Sequence, residues 1–430
     1  MITPRIHWHR IFVVHSIFYR STLMISLVSL LLFGCDSDTA ELLITTGTEI
    51  DKDEDEDKDT DGDGIYDAQE ILDGTDKNDT CDPIQSTGYS GYDSENETWA
   101  NSDCDGDGLT NLVEVFNGWD PYLDDRVYPV NEMMPKLSEL RLFEGSLSNL
   151  GFYNTTLTYG LTTSNFTDYA NQIRAITLPK NGKLRYIDDG LLEFPEGTVV
   201  SQTIFYPLDE RDFSLGAKIL ETRVLLKKNN LWEIGNYVWD EAQEDAFLNV
   251  VDSVQVLPIT YIGPSGNEES IDFEIPSKNQ CVQCHTNNNK IIPIGLKVRT
   301  LNSIINGESQ IERFVEMGIM NTLDISKLGS LPAYLDESLP LEKRARSYMD
   351  VNCAHCHQPN STYTNTTNNP LDLRYETPFA ESGIGIYGDS ISKRISMPAD
   401  STGFMPKIGS TISDSEAVEM IQSYLSTLNE

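Results

Sequence analysis

The spacing of apolar positions changes character twice along the chain. "LMISLVSLLLF" (23–33) is an almost unbroken apolar run that follows Arg5, Arg10 and Arg20 and leads into Leu32-Phe33-Gly34-Cys35. It is short for a membrane span. A basic start, an apolar middle and a small residue before a cysteine are the parts of an export signal. From 137 to 275 the runs shorten, favour β-branched and aromatic residues, and are broken by Gly, Asn, Asp and Pro. "GTVVSQTIFYPL", "ILETRVLLKK", "LWEIGNYVW", "VQVLPITYIG" and "SIDFEIP" each predict a strand, and "KKNNLW" predicts a hairpin turn. Beyond 275 the pattern becomes helical. "LEKRARSYMDVNCAHCH" predicts a helix, and the closing stretch sets Val418, Ile421, Leu425 and Leu428 on one face behind a Ser413–Glu416 capping box.

Charge divides the chain further. The 430 residues carry a formal −37, which argues against nucleic acid and anionic lipid as partners. Residues 36–125 hold 29 of the 68 acids and only three lysines. "DKDEDEDKD" (51–59) is too charged to fold alone. Two in-register motifs follow, "DTDGDGIYDAQE" (59–70) and "DCDGDGLTNLVE" (103–114). Each puts oxygen-bearing side chains at positions 1, 3, 5, 9 and 12. These are Asp59, Asp61, Asp63, Asp67 and Glu70, then Asp103, Asp105, Asp107, Asn111 and Glu114. Gly64 and Gly108 supply the sharp turn, and alternate side chains of such a loop converge on a hard cation such as Ca²⁺. No amphipathic helix precedes either loop, so an EF-hand pair is not expected. The motifs resemble thrombospondin type 3 or related bacterial calcium repeats.

Seven cysteines complete the chemistry. Cys35 stands where a bacterial lipobox carries its lipid. Cys81 and Cys104, an even pair in a loop-rich exported region, are expected to form a disulfide. The other four lie in two CxxCH motifs, Cys281-Cys284-His285 and Cys353-Cys356-His357. Two cysteines three apart on a helical turn can each form a thioether with a haem vinyl group, and the adjacent histidine then reaches the iron. Structural zinc would use the same four cysteines, but 68 residues separate the pairs instead of the usual ~15–20. No βαβ pattern supports a thioredoxin-like site.

Forty-eight residues after His357, "FMPKIGS" offers Met405 as a sulfur ligand for a second haem; Met397 in "SMPAD" is the competing methionine. In the first motif Pro293 is placed to pack on the proximal side of His285. Met317 and Met320 in "FVEMGIM" are the distal candidates there. His285, His355 and His357 are the only histidines beyond residue 15, and His355 reads as a bystander.

The stretches "FPEGTVVSQTIFYP", "LETRVLLKKNNLWEIGNYVW", "IPSKNQCVQCH", "IIPIGLKVRTLN", "RARSYMDVNCAHCH" and "MPKIG" resemble a family of bacterial envelope dihaem c-type cytochromes over roughly 137–430. The resemblance implies two haem c groups, with Met405 as ligand of the second, and names no substrate. The expected organisation is multidomain: a signal peptide (1–35), an acidic tether (36–58) and a calcium-loop repeat stalk (59–125). A mainly-β domain (137–275) and two mainly-α cytochrome c-like units (276–338 and 339–430) complete it. The expected function is electron transfer between redox protein partners by a lipid-anchored protein facing the periplasm or the cell surface. A peroxidase-like dihaem oxidoreductase with an open first haem is the enzymatic alternative, and a calcium-dependent surface binding module the third.

Overall fold

The computed structural model describes residues 58–85 and 93–428, apart from 108, 118, 125, 189, 306, 322, 368 and 369. The expected signal peptide, Cys35 and nearly all of the tether lie outside these. The chain divides into two compact units. Among the described residues one comprises 58–85, 93–104 and 110–122, the other 105–109 and 123–428. Among the described residues no helix is long and apolar enough to cross a membrane.

The smaller unit is held by short elements: helices α1 (Asp67–Asp73), α2 (Glu97–Ala100) and α3 (Asn111–Asn117), and a disulfide between Cys81 and Cys104. Trp99 is fully buried, and its indole N–H donates to the Tyr122 hydroxyl at 2.9 Å. A core this small depends on such staples more than on apolar burial.

The larger unit is organised by a six-stranded antiparallel meander. Its strands are β1 (Thr156–Thr158), β2 (Asn171–Thr177), β3 (Val199–Pro207), β4 (Ala217–Lys228), β5 (Leu231–Trp239) and β6 (Ala246–Leu248). The β4–β5 hairpin turns on Asn229 and Asn230, both at positive φ, as a tight two-residue turn requires. A separate hairpin, β7 (Gln255–Ile262) with β8 (Glu268–Ile275), packs Ile259, Tyr261 and Phe273 against Ile204, Tyr206 and Leu220.

Both faces of the meander are covered. Val199, Val224 and Leu226 point into one core with Leu137, Leu140 and Leu142. Their neighbours Val200 and Leu225 point the other way, into a core with Leu296, Val298, Ile311 and Phe314. Burial on both sides explains why these strands read as apolar runs with little alternation. It also removes the break expected at residue 276. The first CxxCH segment shares a core with the sheet, and its helices are short: α4 (Lys278–His285), α5 (Val298–Leu301) and α6 (Gln310–Glu316).

The C-terminal segment has its own helical core. Helix α7 (Leu341–Asn352) packs against α11 (Ser415–Thr427), which also meets α10 (Ile384–Ile395); α9 (Phe379–Ser382) lies against α10, and α8 (Thr362–Thr367) against α4. The N-cap of α11 is Asp414, whose carboxylate accepts from Ala417 N at 3.2 Å, and not Ser413 as the capping-box pattern suggests. Ala417, Met420, Ile421, Tyr424 and Leu425 form its buried face, and Leu428 is exposed.

Candidate functional site

The second CxxCH motif grows out of a helix end. Cys353 closes α7 with its N–H on Met349 O (2.9 Å), and the chain then turns so that His357 N donates to Cys353 O at 3.0 Å. Both cysteines and the histidine therefore border one cavity of about 640 Å³. Tyr348, Leu371, Leu373, Ile391 and Ile421 give it apolar walls, and Met405 lies in the wall as well. Its volume falls in the range that takes up a drug- or cofactor-sized ligand. Burial holds the His357 imidazole down to about 4, so it is neutral at pH 7, the form that ligates metals. Its Nδ1 is buried without a hydrogen-bond partner among the described residues, and the ring meets Tyr363 edge-on at 4.8 Å. Met397 packs against Gly403 and does not line this cavity.

The first motif is carried by α4, which starts on a reciprocal Ser277–Gln280 capping box. His285 ends that helix. Its Nδ1 is 2.8 Å from Ile292 O, a bond that fixes the tautomer and leaves the lone pair on Nε2. Burial holds this ring, too, down to about 4. The cavity here is only about 160 Å³. Val200, Leu225 and Ile234 of the sheet, Pro293, and the arginines Arg174 and Arg223 line it. Met317 and Met320 do not. They pack in the core between the sheet and α6, Met320 N donating to Phe314 O at 3.0 Å, so both thioethers fill core space. These two distal candidates are thus withdrawn.

The two motifs meet. Ligand atoms of Cys284, His355 and Cys356 lie within 4.8 Å of one another. The loops beyond them are clasped by Asn288 N on Asn360 O (3.0 Å) and Asn287 Nδ2 on Pro359 O (2.9 Å). A hydrogen bond between the thiols raises the Cys284 pKa and lowers that of Cys356. Burial pushes Cys281 up to about 11 and Cys353 up to about 12. The cluster takes one sulfur from each motif, not the four of the zinc alternative. His355, a bystander in the sequence, sits at the junction and lines both cavities.

The acidic loops are built by local turns. In the first, Asp59 accepts from Gly62 N (2.7 Å) and Gly64 N (3.0 Å), and Asp61 and Asp63 each accept from the N–H two residues on. Gly62 and Gly64 have φ of 80° and 96°, where a side chain would be strained. Ligand oxygens of Asp59, Asp61 and Asp63 converge within 4.8 Å. Glu70 is fully buried, and among the described residues neither of its carboxylate oxygens nor Asp61 Oδ2 has a hydrogen-bond partner. Burial first, then the neighbouring aspartates, raises Glu70 to about 7. Buried acids left this way fit an added cation. In the second loop Asp105 accepts from Asp107 N (2.9 Å) and Asp107 from Leu109 N (2.8 Å), the same turns as in the first, and Glu114 is buried.

Position 9 does something else in both loops. Asp67 accepts from Thr60 N (2.8 Å), Thr60 Oγ1 (2.7 Å) and Lys77 Nζ (2.9 Å), and Asn111 Oδ1 accepts from Cys104 N at 3.2 Å. Each side chain ties down the backbone N–H of position 2. Asp67 and Asn111, expected as ligands, act as braces of the loop.

Residues 59–79 and 103–121 match the bacterial TSP3 repeat. The repeats are of the calcium-binding type. No curated protein and no solved structure matches the chain. One residue of the first TSP3 repeat's surroundings escaped the sequence. Gln85 is buried, and its Nε2 donates to Asp63 Oδ2 at 2.6 Å. It lies 22 residues from Asp63 and belongs to no motif, so only the fold reveals it.

Proposed function

We propose that the chain is a dihaem c-type cytochrome of the bacterial cell envelope, anchored by lipid on Cys35 and passing electrons between redox partners, with its TSP3 repeats binding Ca²⁺. The observation that carries this reading is the 640 Å³ apolar cavity with Cys353, Cys356 and His357 at its edge and Met405 in its wall. Haem bound there would supply a reversible one-electron iron couple whose potential a histidine–methionine pair sets high. The protein's part is to hold His357 neutral, present the Met405 sulfur, and keep water out with the Tyr348, Leu371 and Ile421 walls. At the first motif Ile292 orients His285 and the sheet limits the space. The shared wall at Cys284, His355 and Cys356 would keep two attached groups close enough for exchange between them.

The test is the pyridine haemochrome of full-length protein matured in a bacterial envelope, with two covalent haems per chain expected. Met405→Ala should turn one low-spin ferric signal high-spin. A chain that carries no haem on a denaturing gel sinks the proposal. A second reading, the peroxidase-like oxidoreductase, has one observation in its favour: among the described residues no methionine lines the first cavity, whereas His355 does. A high-spin first centre that binds cyanide would select it.

A further inference from the structure

A polar cavity of about 880 Å³ adjoins the first CxxCH cavity, and the two share Tyr159, Asn165, Phe166, Thr167 and Arg174 in their walls. Arg174 stands on β2 opposite Gln202 of β3 and is 8% exposed. Its Nη2 donates to Asn165 Oδ1 at 2.7 Å and to Gln172 Oε1. Both acceptors are neutral amides, and among the described residues no carboxylate forms an ion pair with it. Arg223, the other arginine in the wall of the first cavity, makes the contrast. It brings its own counter-charge, the fully buried Glu221, at 2.6 Å. The other acids of the polar cavity's wall are Glu210, Asp336 and Asp414; Asp414 caps α11, Asp336 accepts from Ser338, and none of the three forms an ion pair with Arg174.

A buried guanidinium carries a fork of N–H donors that matches a carboxylate, and its desolvation is offset only by such a counter-charge. Burial lowers the Arg174 pKa to about 10, which leaves it cationic at neutral pH. We propose that Arg174 anchors a carboxylate presented to it at the wall between the polar cavity and the first CxxCH cavity. Two sources offer that group: a small free carboxylate in the polar cavity, or a propionate of haem at the first motif. The second source rests on the cytochrome reading, and the first does not.

The test uses full-length protein, with succinate as probe. For the free-ligand source, succinate raises the melting temperature of the wild type, and Arg174→Gln weakens its apparent affinity at least about tenfold. Asn165→Asp places an internal carboxylate on the same nitrogen. It should raise the melting temperature and abolish the succinate response, which keeps the test open if Arg174→Gln fails to fold. For the propionate source, succinate has no effect, and both variants shift one of the two haem potentials and its pH dependence. Haem content is read separately by pyridine haemochrome. Its absence defeats the cytochrome reading and leaves the succinate arm standing. No succinate response together with unmoved potentials overturns the assignment, as does no succinate response in a protein without haem.

Discussion

The TSP3 repeats and the CxxCH motifs both gather ligand atoms, but over different distances along the chain. In the first TSP3 repeat, Asp59, Asp61, Asp63 and Glu70 come from twelve residues, and turns on Gly62 and Gly64 do the gathering. At the paired motifs, Cys284 and Cys356 are 72 residues apart and meet only because a β-sheet supports one and a helical core the other. A local site depends on its own turns; a non-local one depends on the whole unit. Mutations far from the ligands should therefore separate them.

The largest expected effect lies at the non-local site. Cys353→Ala with Cys356→Ala removes both sulfurs of the second motif, and on the proposed cytochrome reading covalent haem should fall from two per chain to one. The pyridine haemochrome measures this, and calcium titration of the TSP3 repeats should be unmoved. A retained second haem would break the assignment of that cavity. A smaller effect is expected at Arg223→Met on β4, which strips the cation from a carboxylate with no exposure, Glu221. Leaving a buried charge alone costs about 3–5 kcal/mol. Denaturant unfolding should show that loss in the larger unit, again without change in calcium affinity. Equal losses at both kinds of site would erase the contrast.

Legibility in the sequence follows the same division. Strands β3, β4, β5, β7 and β8 were readable because both their composition and their turns are local signals. Strand β2 was not, since "NQIRAIT" begins with side chains that join a part-buried polar network around Arg174, Gln172 and Gln202. The acidic loops were readable as ligand sets except at position 9. There an oxygen-bearing residue suits a brace as well as a ligand, and only the bonds from Thr60 N and Cys104 N tell the two roles apart. The CxxCH motifs suggested a chemistry but gave no sign of their surroundings. That Met405 lines a cavity while Met317 and Met320 fill a core depends on which segments the fold brings across, and spacing carries no such information. The placement of His355 at the junction is hidden for the same reason. Its partners are Cys284 and Cys356, and the first of these lies in the other motif.

The smallest effect tests how far the local site stands on its own electrostatics. Burial raises Asp61 to about 6 and Glu70 to about 7 from values near 4 in the unfolded chain. A raised carboxyl makes the folded state bind more protons than the unfolded one between those two values. Without calcium, folded stability is then fullest below about pH 4 and declines as pH rises towards 7. Calcium reverses the trend, because it replaces the protons these acids would otherwise keep. Its affinity at the first TSP3 repeat should weaken as pH falls from above 7 to below 6. Melting of the repeat unit in chelator and in calcium, between pH 4 and 8, measures both slopes. Glu70→Gln provides the internal control: it keeps the shape, removes the titrating group, and should flatten the chelator slope while lowering calcium affinity. A chelator curve that rises with pH would mean that the acids are ionised in the folded loop without a cation. The loop's own turn hydrogen bonds would then suffice to hold them apart.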